Sequence, residues 1–169
     1  MLIQRIKKHK ILSKFVEDNC CENDVWVTFD ESILPEAYVI IKVDKYYNSL
    51  NLEKTPPSLD CLIVRECENG GYGLTLVELK KTKTSGDIDL KNIKEKYETT
   101  LYDFIKSKFI GELDIDYSDI KLFFVSRIEL YARDLGLKME TLGNLRFKFN
   151  GRYLMITPRM PNPAIKKCY

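Results

Sequence analysis

Hydrophobic and polar positions follow two different periods along this chain, and the changes between them mark its elements. Apolar residues recur at helical spacing over residues 2–17. They do so again in a helix that Ser85-Gly86-Asp87 opens, whose apolar stripe extends to Phe109 and which Gly111 is placed to end. Short runs rich in Val, Ile, Leu, Thr and aromatic residues predict strands at 25–29, 59–66, 72–81 and 120–125.

Two segments are harder to assign from their pattern. Between Pro35 and Leu50 the apolar residues recur at helical spacing, although Val39-Ile40-Ile41 is β-branched. Proline is favoured in the first turn of a helix, so we interpret this stretch as helical. A short helix is predicted near 129–135, and the last residues, Pro161–Tyr169, are expected to form a tail.

Turn signals predict two hairpins. Glu68-Asn69-Gly70-Gly71 separates strands 59–66 and 72–81 by so few residues that the strands should be antiparallel neighbours. Asn150-Gly151 is a strong two-residue hairpin signal, and it predicts a C-terminal β-hairpin from Leu145–Phe149 and Arg152–Ile156. The order of the elements indicates one α/β domain over residues 1–169.

Composition is that of an ordinary globular protein. The 169 residues are 44% hydrophobic and 31% charged, and no stretch resembles a signal peptide or a transmembrane segment, so a cytoplasmic protein is expected. The five cysteines are odd in number and include no C-x-x-C spacing, which favours reduced thiols over a disulfide framework or a zinc site. The chain has a single histidine, His9, which disfavours a metal site or a catalytic triad based on histidine.

The net charge of +2 hides an uneven distribution. Residues 1–16 contain five basic residues and no acid, and residues 141–169 contain six basic residues and no acid. Basic ends around an acidic centre suit a protein that binds a polyanion and keeps carboxylates for a metal. Solvated basic faces on an unrelated domain would give the same distribution.

The strongest chemical signal is a pair of acids with a lysine. Because successive side chains of a strand point to opposite faces, Glu78 and Lys80 share one face and lie roughly 6–7 Å apart along it. Hairpin pairing would bring Asp60 to the same face. Two carboxylates and an ammonium can hold Mg²⁺ and a water beside a phosphate. The Leu79 backbone carbonyl is a candidate third ligand, and Lys80 would orient or deprotonate the attacking water.

Only one of the three acid-x-lysine pairs in the chain has a suitable context. Asp89/Lys91 lies in a predicted helix, where residues two apart do not share a face. Asp119/Lys121 lies at a strand entrance with no matching acid upstream. Glu78/Lys80 lies deep in an apolar strand, where charges are costly. The alternative is a solvated edge strand with no function.

This arrangement resembles the PD-(D/E)XK nuclease superfamily, which includes type II restriction enzymes, over Pro35 to Val125. The resemblance implies a restriction-endonuclease-like mixed β-sheet core flanked by helices. It implies Asp60 and Glu78 as metal ligands, Lys80 as the catalytic lysine, and Mg²⁺, with Mn²⁺ as a substitute. Residue 59 is Leu where the superfamily often has proline. An additional acid on the preceding helix would be Glu36, with Asp44 as its rival.

The expected activity is hydrolysis of phosphodiester bonds in DNA by a metal-dependent endonuclease, with RNA left open as a substrate. Candidate nucleic-acid contacts are the basic residues Lys81, Lys83, Arg146, Lys148 and Arg152. No membrane partner is expected, and a homodimer would allow both strands to be cut. The alternatives are a non-catalytic nucleic-acid-binding module on the same fold and a protein-interaction domain.

Overall fold

A computed structural model describes residues 1–80, 86, 88–127 and 133–169 of the chain. Its helices are α1 (Leu2–Lys8), α2 (Val43–Ser49), α3 (Leu90–Glu98), α4 (Ile110–Leu113) and α5 (Arg133–Asn144). A π-helical segment, Thr99–Lys108, continues α3, and 3-10 turns cover Leu12–Phe15 and Pro35–Ala37. The strands are β1 (Val16–Glu17), β2 (Cys21–Glu22), β3 (Val25–Trp26), β4 (Thr28–Phe29), β5 (Tyr38–Lys42), β6 (Cys61–Glu66), β7 (Tyr72–Lys80), β8 (Asp119–Ser126), β9 (Phe147–Phe149), β10 (Arg152–Leu154), β11 (Ile156–Arg159) and β12 (Ala164–Ile165).

Six strands form a mixed sheet in the order β1-β5-β6-β7-β8-β11. The pairs β1–β5, β5–β6 and β6–β7 are antiparallel, whereas β8 is parallel to both β7 and β11. The expectation of an α/β protein with a mixed sheet and flanking helices is confirmed. The C-terminal hairpin is confirmed too: β9 and β10 pair across Asn150 and Gly151, whose φ angles are 48° and 75°.

The central hairpin forms because its two strands are apolar on both faces. Residues 61–65 of β6 and 73–79 of β7 are all buried, as expected for strands covered on each side. Arg65, like Thr75 and Glu78, is a polar exception in these strands, and its guanidinium binds the Asp119 carboxylate and donates to Thr75 Oγ1 at 3.0 Å. Gly73 makes room for it, since a Cβ there would lie 2.7 Å from Arg65 Cζ.

The two faces of the sheet are covered by different elements of the fold. Helices α1, α2 and α3 and the π-helical segment pack on one face, whose core includes Leu62, Leu76 and Phe104. On the other face, Val77 and Phe123 pack against residues of the β2–β3 hairpin region and of the C-terminal segment. The apolar stripe expected between Ile88 and Phe109 is confirmed as buried, apart from the half-buried Leu90.

Helical interpretation of residues 35–50 was wrong. Tyr38–Lys42 is the strand β5, and only Val43–Ser49 is α-helical. The β-branched run lies inside the sheet, where Val39, Ile40 and Ile41 are all buried, so strand burial decided its conformation. The helical spacing came from the short α2 that directly follows the strand.

Helix limits also differ from those expected. Over residues 2–17, α1 ends at Lys8 because His9 is extended, and its Nδ1 accepts hydrogen bonds from the Ile11 and Leu12 N–H groups. Helix α3 begins at Leu90, with Asp89 accepting from the Asn92 N–H at 3.1 Å. Residues 81–85, 87 and 128–132, which include parts of both predicted helix starts, lie outside the described residues.

Gly111 does not end the long helix. The π-helical segment stops at Lys108, and Gly111 lies within the short α4. Nor are residues 161–169 a tail, because Ala164 and Ile165 pair with β4 and Cys168 is disulfide-bonded. Long-range pairing of this kind leaves no local pattern.

Reduced cysteines were the wrong expectation. Cys20 pairs with Cys61, and Cys67 pairs with Cys168, with Cα–Cα distances of 6.1 and 4.7 Å, while Cys21 is an exposed thiol. The partners are 41 and 101 residues apart, so the spacing of neighbouring cysteines could not reveal them. Among the helices of the described residues, none is long and apolar enough to cross a membrane.

Candidate functional site

Asp60 and Glu78 meet at one end of the central hairpin. Cys61 pairs with Val77 in the antiparallel register, so Asp60, one residue before β6, lies across from Glu78. The Leu79 N–H donates to Asp60 Oδ2 at 2.7 Å, which fixes the aspartate against β7. Directly opposite residues of an antiparallel pair have their Cβ atoms about 5 Å apart. The structure therefore brings the two acids together, as the hairpin prediction required.

Glu78 is the most unusual group in this site. Its side chain is fully buried, and one carboxylate oxygen, Oε1, lies 2.6 Å from Lys96 Nζ and 3.6 Å from Lys80 Nζ. The other oxygen, Oε2, is buried without a hydrogen-bond partner among the described residues. Burial, reinforced by the Asp60 charge and opposed by Lys96, raises the pKa of Glu78 from 4.5 to about 8.

Lys80 lies where strand alternation places it. It shares a face with Glu78 and keeps a side-chain exposure of 30%, whereas Glu78 has none. The ammonium group is thus partly open to solvent and the carboxylate is not.

Lys96 belongs to the site, and sequence reasoning missed it. It extends from α3, which packs on the sheet face that carries Glu78, and its side chain is 18% exposed. The Tyr97 hydroxyl donates to the Phe123 carbonyl at 2.6 Å and the Leu59 N–H donates to Thr100 Oγ1 at 3.3 Å, so the helical turn that follows Lys96 is fixed against the sheet and the loop before β6. Its position at the margin of the apolar stripe was the only available signal.

Of the two candidates for an additional acid, the structure brings Asp44 to this end of the sheet. Its N–H donates to the Leu59 carbonyl at 3.1 Å, one residue before Asp60. Burial raises the pKa of Asp44, an effect that Lys42 opposes and Asp60 reinforces. Glu36 is exposed in the 3-10 turn that precedes β5, whereas the site lies beyond Lys42 at the other end. The strand between them spans roughly 16 Å, so Glu36 is not brought to the site.

A metal at this point would have few protein ligands. No group of three or more His, Cys, Asp or Glu residues in the described ranges is arranged to hold a metal ion. Asp60 and Glu78 supply two carboxylates, which is the number that Mg²⁺ often takes from a protein when waters and phosphate oxygens complete its shell. The contribution seen from Leu79 is its N–H bond to Asp60, and the role of its carbonyl stays a prediction.

The predicted basic contacts that the structure describes, Arg146, Lys148 and Arg152, do not lie around the acids. Lys81 and Lys83 lie outside the described residues. Arg152 donates to the Tyr117 carbonyl at 2.8 Å, next to the start of β8, whereas the acids lie level with its end. The same hairpin presents the exposed Lys148, and Arg146 donates to the carbonyls of Gly143 and Leu145. The hairpin contacts residues at the opposite end of the sheet from Glu78.

Comparison with protein-family models, with curated proteins and with solved structures found no match to this chain.

Proposed function

We propose that this chain is a Mg²⁺-dependent endonuclease that hydrolyses phosphodiester bonds in DNA, of the restriction-enzyme or resolvase type. The observation that supports it most is the meeting of Asp60 with a fully buried Glu78, beside the partly exposed Lys80. A buried carboxylate in a central strand is expensive for the fold. Perturbed acids next to a specific cation are characteristic of functional sites.

The residues present fit a divalent cation. Glu78 Oε2 is a buried oxygen with no partner in the described part of the chain, and the Asp60 carboxylate is adjacent. Carboxylate oxygens are the ligands that Mg²⁺ prefers, and Mn²⁺ accepts the same set. When bound, the ion would neutralise the phosphate and lower the pKa of a bound water. Asp60, Glu78 and the Leu79 carbonyl would hold it.

The lysines have separate roles in this proposal. Lys80 reaches solvent and would orient the attacking water or balance charge on the transition state. Lys96 is more enclosed and binds Glu78 Oε1 at 2.6 Å, so it orients the carboxylate rather than meeting the substrate. Burial lowers the pKa of Lys96, but Glu78 more than reverses this and keeps the ammonium charged.

The topology around the site also supports the proposal. Three antiparallel strands, β5, β6 and β7, are followed by a helix and by β8, which returns parallel to β7. From β6 onward, the order of acid-bearing strand, E-x-K strand, helix and strand is the one on which the resemblance to PD-(D/E)XK nucleases was based, whereas the helix expected before it is in part the strand β5. A two-fold dimer would present two such sites, one for each strand of a duplex.

Cleavage assays test the proposal directly. Purified protein is incubated with supercoiled plasmid, a branched junction, single-stranded DNA and RNA, with Mg²⁺, Mn²⁺ or EDTA. We expect metal-dependent cleavage of DNA that Asp60→Asn, Glu78→Gln and Lys80→Met each abolish. The control is Lys91→Met, an exposed lysine of α3 that lies 4.0 Å from Glu95. No cleavage of any substrate, or cleavage that the three variants retain, would overturn the assignment.

A non-catalytic nucleic-acid-binding module is the second candidate, and one observation favours it. The Lys96 ammonium already binds Glu78 Oε1, so the site contains a cation of its own. Such a module would bind DNA with an affinity that falls steeply with salt, without metal-dependent cleavage. Binding measured at 50 and 200 mM salt, in EDTA and in Mg²⁺, distinguishes the two candidates when combined with the cleavage assay.

A further inference from the structure

A basic cavity lies on the sheet face opposite Glu78. It is formed between β8, β11 and the C-terminal segment that contains β12, and its volume is about 240 Å³. Side chains of β8 alternate between the two faces of the sheet. Phe123 packs with Val77 in the hydrophobic cluster on the face opposite α3. The lining residues are Lys121, Phe123, Arg159, Pro163, Ala164, Ile165 and Lys166. This cavity is therefore separate from the acidic site.

Three of its lining residues are cations with little compensation. Lys121 lies 3.2 Å from Asp119, but the same carboxylate oxygen also binds the buried Arg65. Within the described ranges neither Arg159 nor Lys166 forms an ion pair. Three cations around one cavity repel one another unless an anion joins them. Asp30 lies close enough to Lys166 for the lysine to help lower its pKa, but none of the described residues that line the cavity is acidic, so the lining is positive.

The shape of the cavity suits a small, oxygen-rich anion. The Arg159 guanidinium lies over the Phe123 ring, 5.2 Å from its centroid. Stacking on an aromatic face restricts the guanidinium plane and leaves its N–H edge available for two parallel hydrogen bonds. Phosphate oxygens match that edge in a bidentate manner. The volume is smaller than the roughly 300–1,000 Å³ of pockets for drug-sized ligands.

The wall of the cavity is held in place by the rest of the fold. Ala164 and Ile165 pair with β4, and the Thr28 N–H donates to the Pro163 carbonyl at 3.0 Å. Three residues beyond the wall, Cys168 is bonded to Cys67. A segment fixed in this way does not have to be ordered when a ligand binds, which lowers the entropic cost of binding.

We propose that this cavity is a phosphate-binding site, with Arg159 as the bidentate contact and Lys121 and Lys166 as additional charges. The ligand class is a phosphate group, free or attached to a nucleotide or nucleic acid. The inference does not depend on the nuclease proposal, because it uses no residue of the acidic site.

Titration of inorganic phosphate into the full chain tests the inference. Binding is followed by calorimetry and by backbone amide shifts, at constant ionic strength maintained with chloride. We expect saturable binding with shifts at residues 121–123 and 159–166. Arg159→Gln should weaken it at least tenfold and the exposed Lys166→Gln by a smaller factor, whereas Arg5→Gln on α1 should leave it unchanged. Thermal unfolding of each variant shows whether it is folded.

Two results would overturn the proposal: wild-type protein that binds no phosphate, or equal losses in Arg159→Gln and Arg5→Gln. The source of the phosphate is identified by competition with a nucleoside 5′-monophosphate, a 5′-phosphorylated oligonucleotide and its unphosphorylated counterpart. Competition by the unphosphorylated strand indicates a backbone phosphate, and competition only by the other two indicates a terminal phosphate. Glu78→Gln should retain phosphate binding, even if it has lost cleavage.

Discussion

Replacing Glu78 with glutamine should change how the stability of the protein depends on pH. Burial raises the pKa of Glu78 from 4.5 to about 8, so the folded state holds this proton more tightly than the unfolded chain does. The free energy of unfolding must then fall as the pH rises from about 4.5 to 8. Glutamine fills nearly the same volume and does not titrate. The variant therefore lacks this part of the pH dependence.

The size of the effect follows from the same pKa values. The step from 4.5 to about 8 corresponds to roughly 3–5 kcal/mol at about 1.4 kcal/mol per pKa unit. Between pH 5 and pH 9, the free energy of unfolding of wild type should thus fall by roughly that amount relative to the free energy of unfolding of Glu78→Gln. Urea unfolding at both pH values, in EDTA, measures the four free energies from which the difference is taken.

A matched control is available on the helix that carries Lys96. Glu98 is a residue of α3 whose side chain is 40% exposed and pairs with Lys94 at 3.6 Å, and Glu98→Gln should alter the pH dependence of the free energy of unfolding by less than about 1 kcal/mol. Parallel pH profiles for wild type and Glu78→Gln would refute the reasoning. They would mean that Glu78 ionises in the fold as readily as in the unfolded chain, so that burial imposes no cost on its charge.

Three further changes test the neighbouring interactions. Lys96→Met leaves the Glu78 charge without its closest partner and should cost roughly 3 kcal/mol at pH 9 but less at pH 5, measured by urea unfolding. Replacing both Cys67 and Cys168 by serine should lower the free energy of unfolding by about 4 kcal/mol, because the disulfide closes a loop of about 100 residues. Chemical reduction of the wild-type protein should lower it by at least as much. Asp119→Asn removes the carboxylate that binds the buried Arg65 and should cost roughly 3–5 kcal/mol, whereas Asp116→Asn at an exposed position should cost little.

Local patterns were sufficient for the central hairpin and for the two acids on it. The short turn at Asn69-Gly70 fixes β6 and β7 as antiparallel neighbours, and strand alternation then places Glu78 and Lys80 on one face. Asp60 follows from register. Each step depends on residues fewer than 25 positions apart. This is why the acidic part of the site could be predicted, although the family resemblance itself was not tested by any match.

The features that could not be predicted depend on how elements distant in the sequence pack against one another. Lys96 reaches Glu78 only because α3 crosses the sheet at a particular height, and a helical pattern fixes the buried face but not its position along the sheet. The same holds for β12, which pairs with β4 from the far end of the chain. The prediction for residues 38–42 failed for a different reason. Burial in the sheet stabilised a strand there, whereas the helical spacing of apolar residues came from the adjacent α2.

The cost of burying Glu78 also gives a way to distinguish the two proposed functions. A cation that binds only the folded chain would stabilise it by about 2.7 kcal/mol at a concentration one hundred times its dissociation constant, which is comparable to the burial cost. Above pH 8, where Glu78 is ionised, Mg²⁺ should therefore raise the melting temperature of wild type and leave Glu78→Gln unchanged. In a binding module, Lys96 alone balances the carboxylate, and Mg²⁺ would shift both proteins equally or neither. Equal shifts would therefore count against a metal held by Glu78, because the charge that must attract it would be irrelevant to its binding.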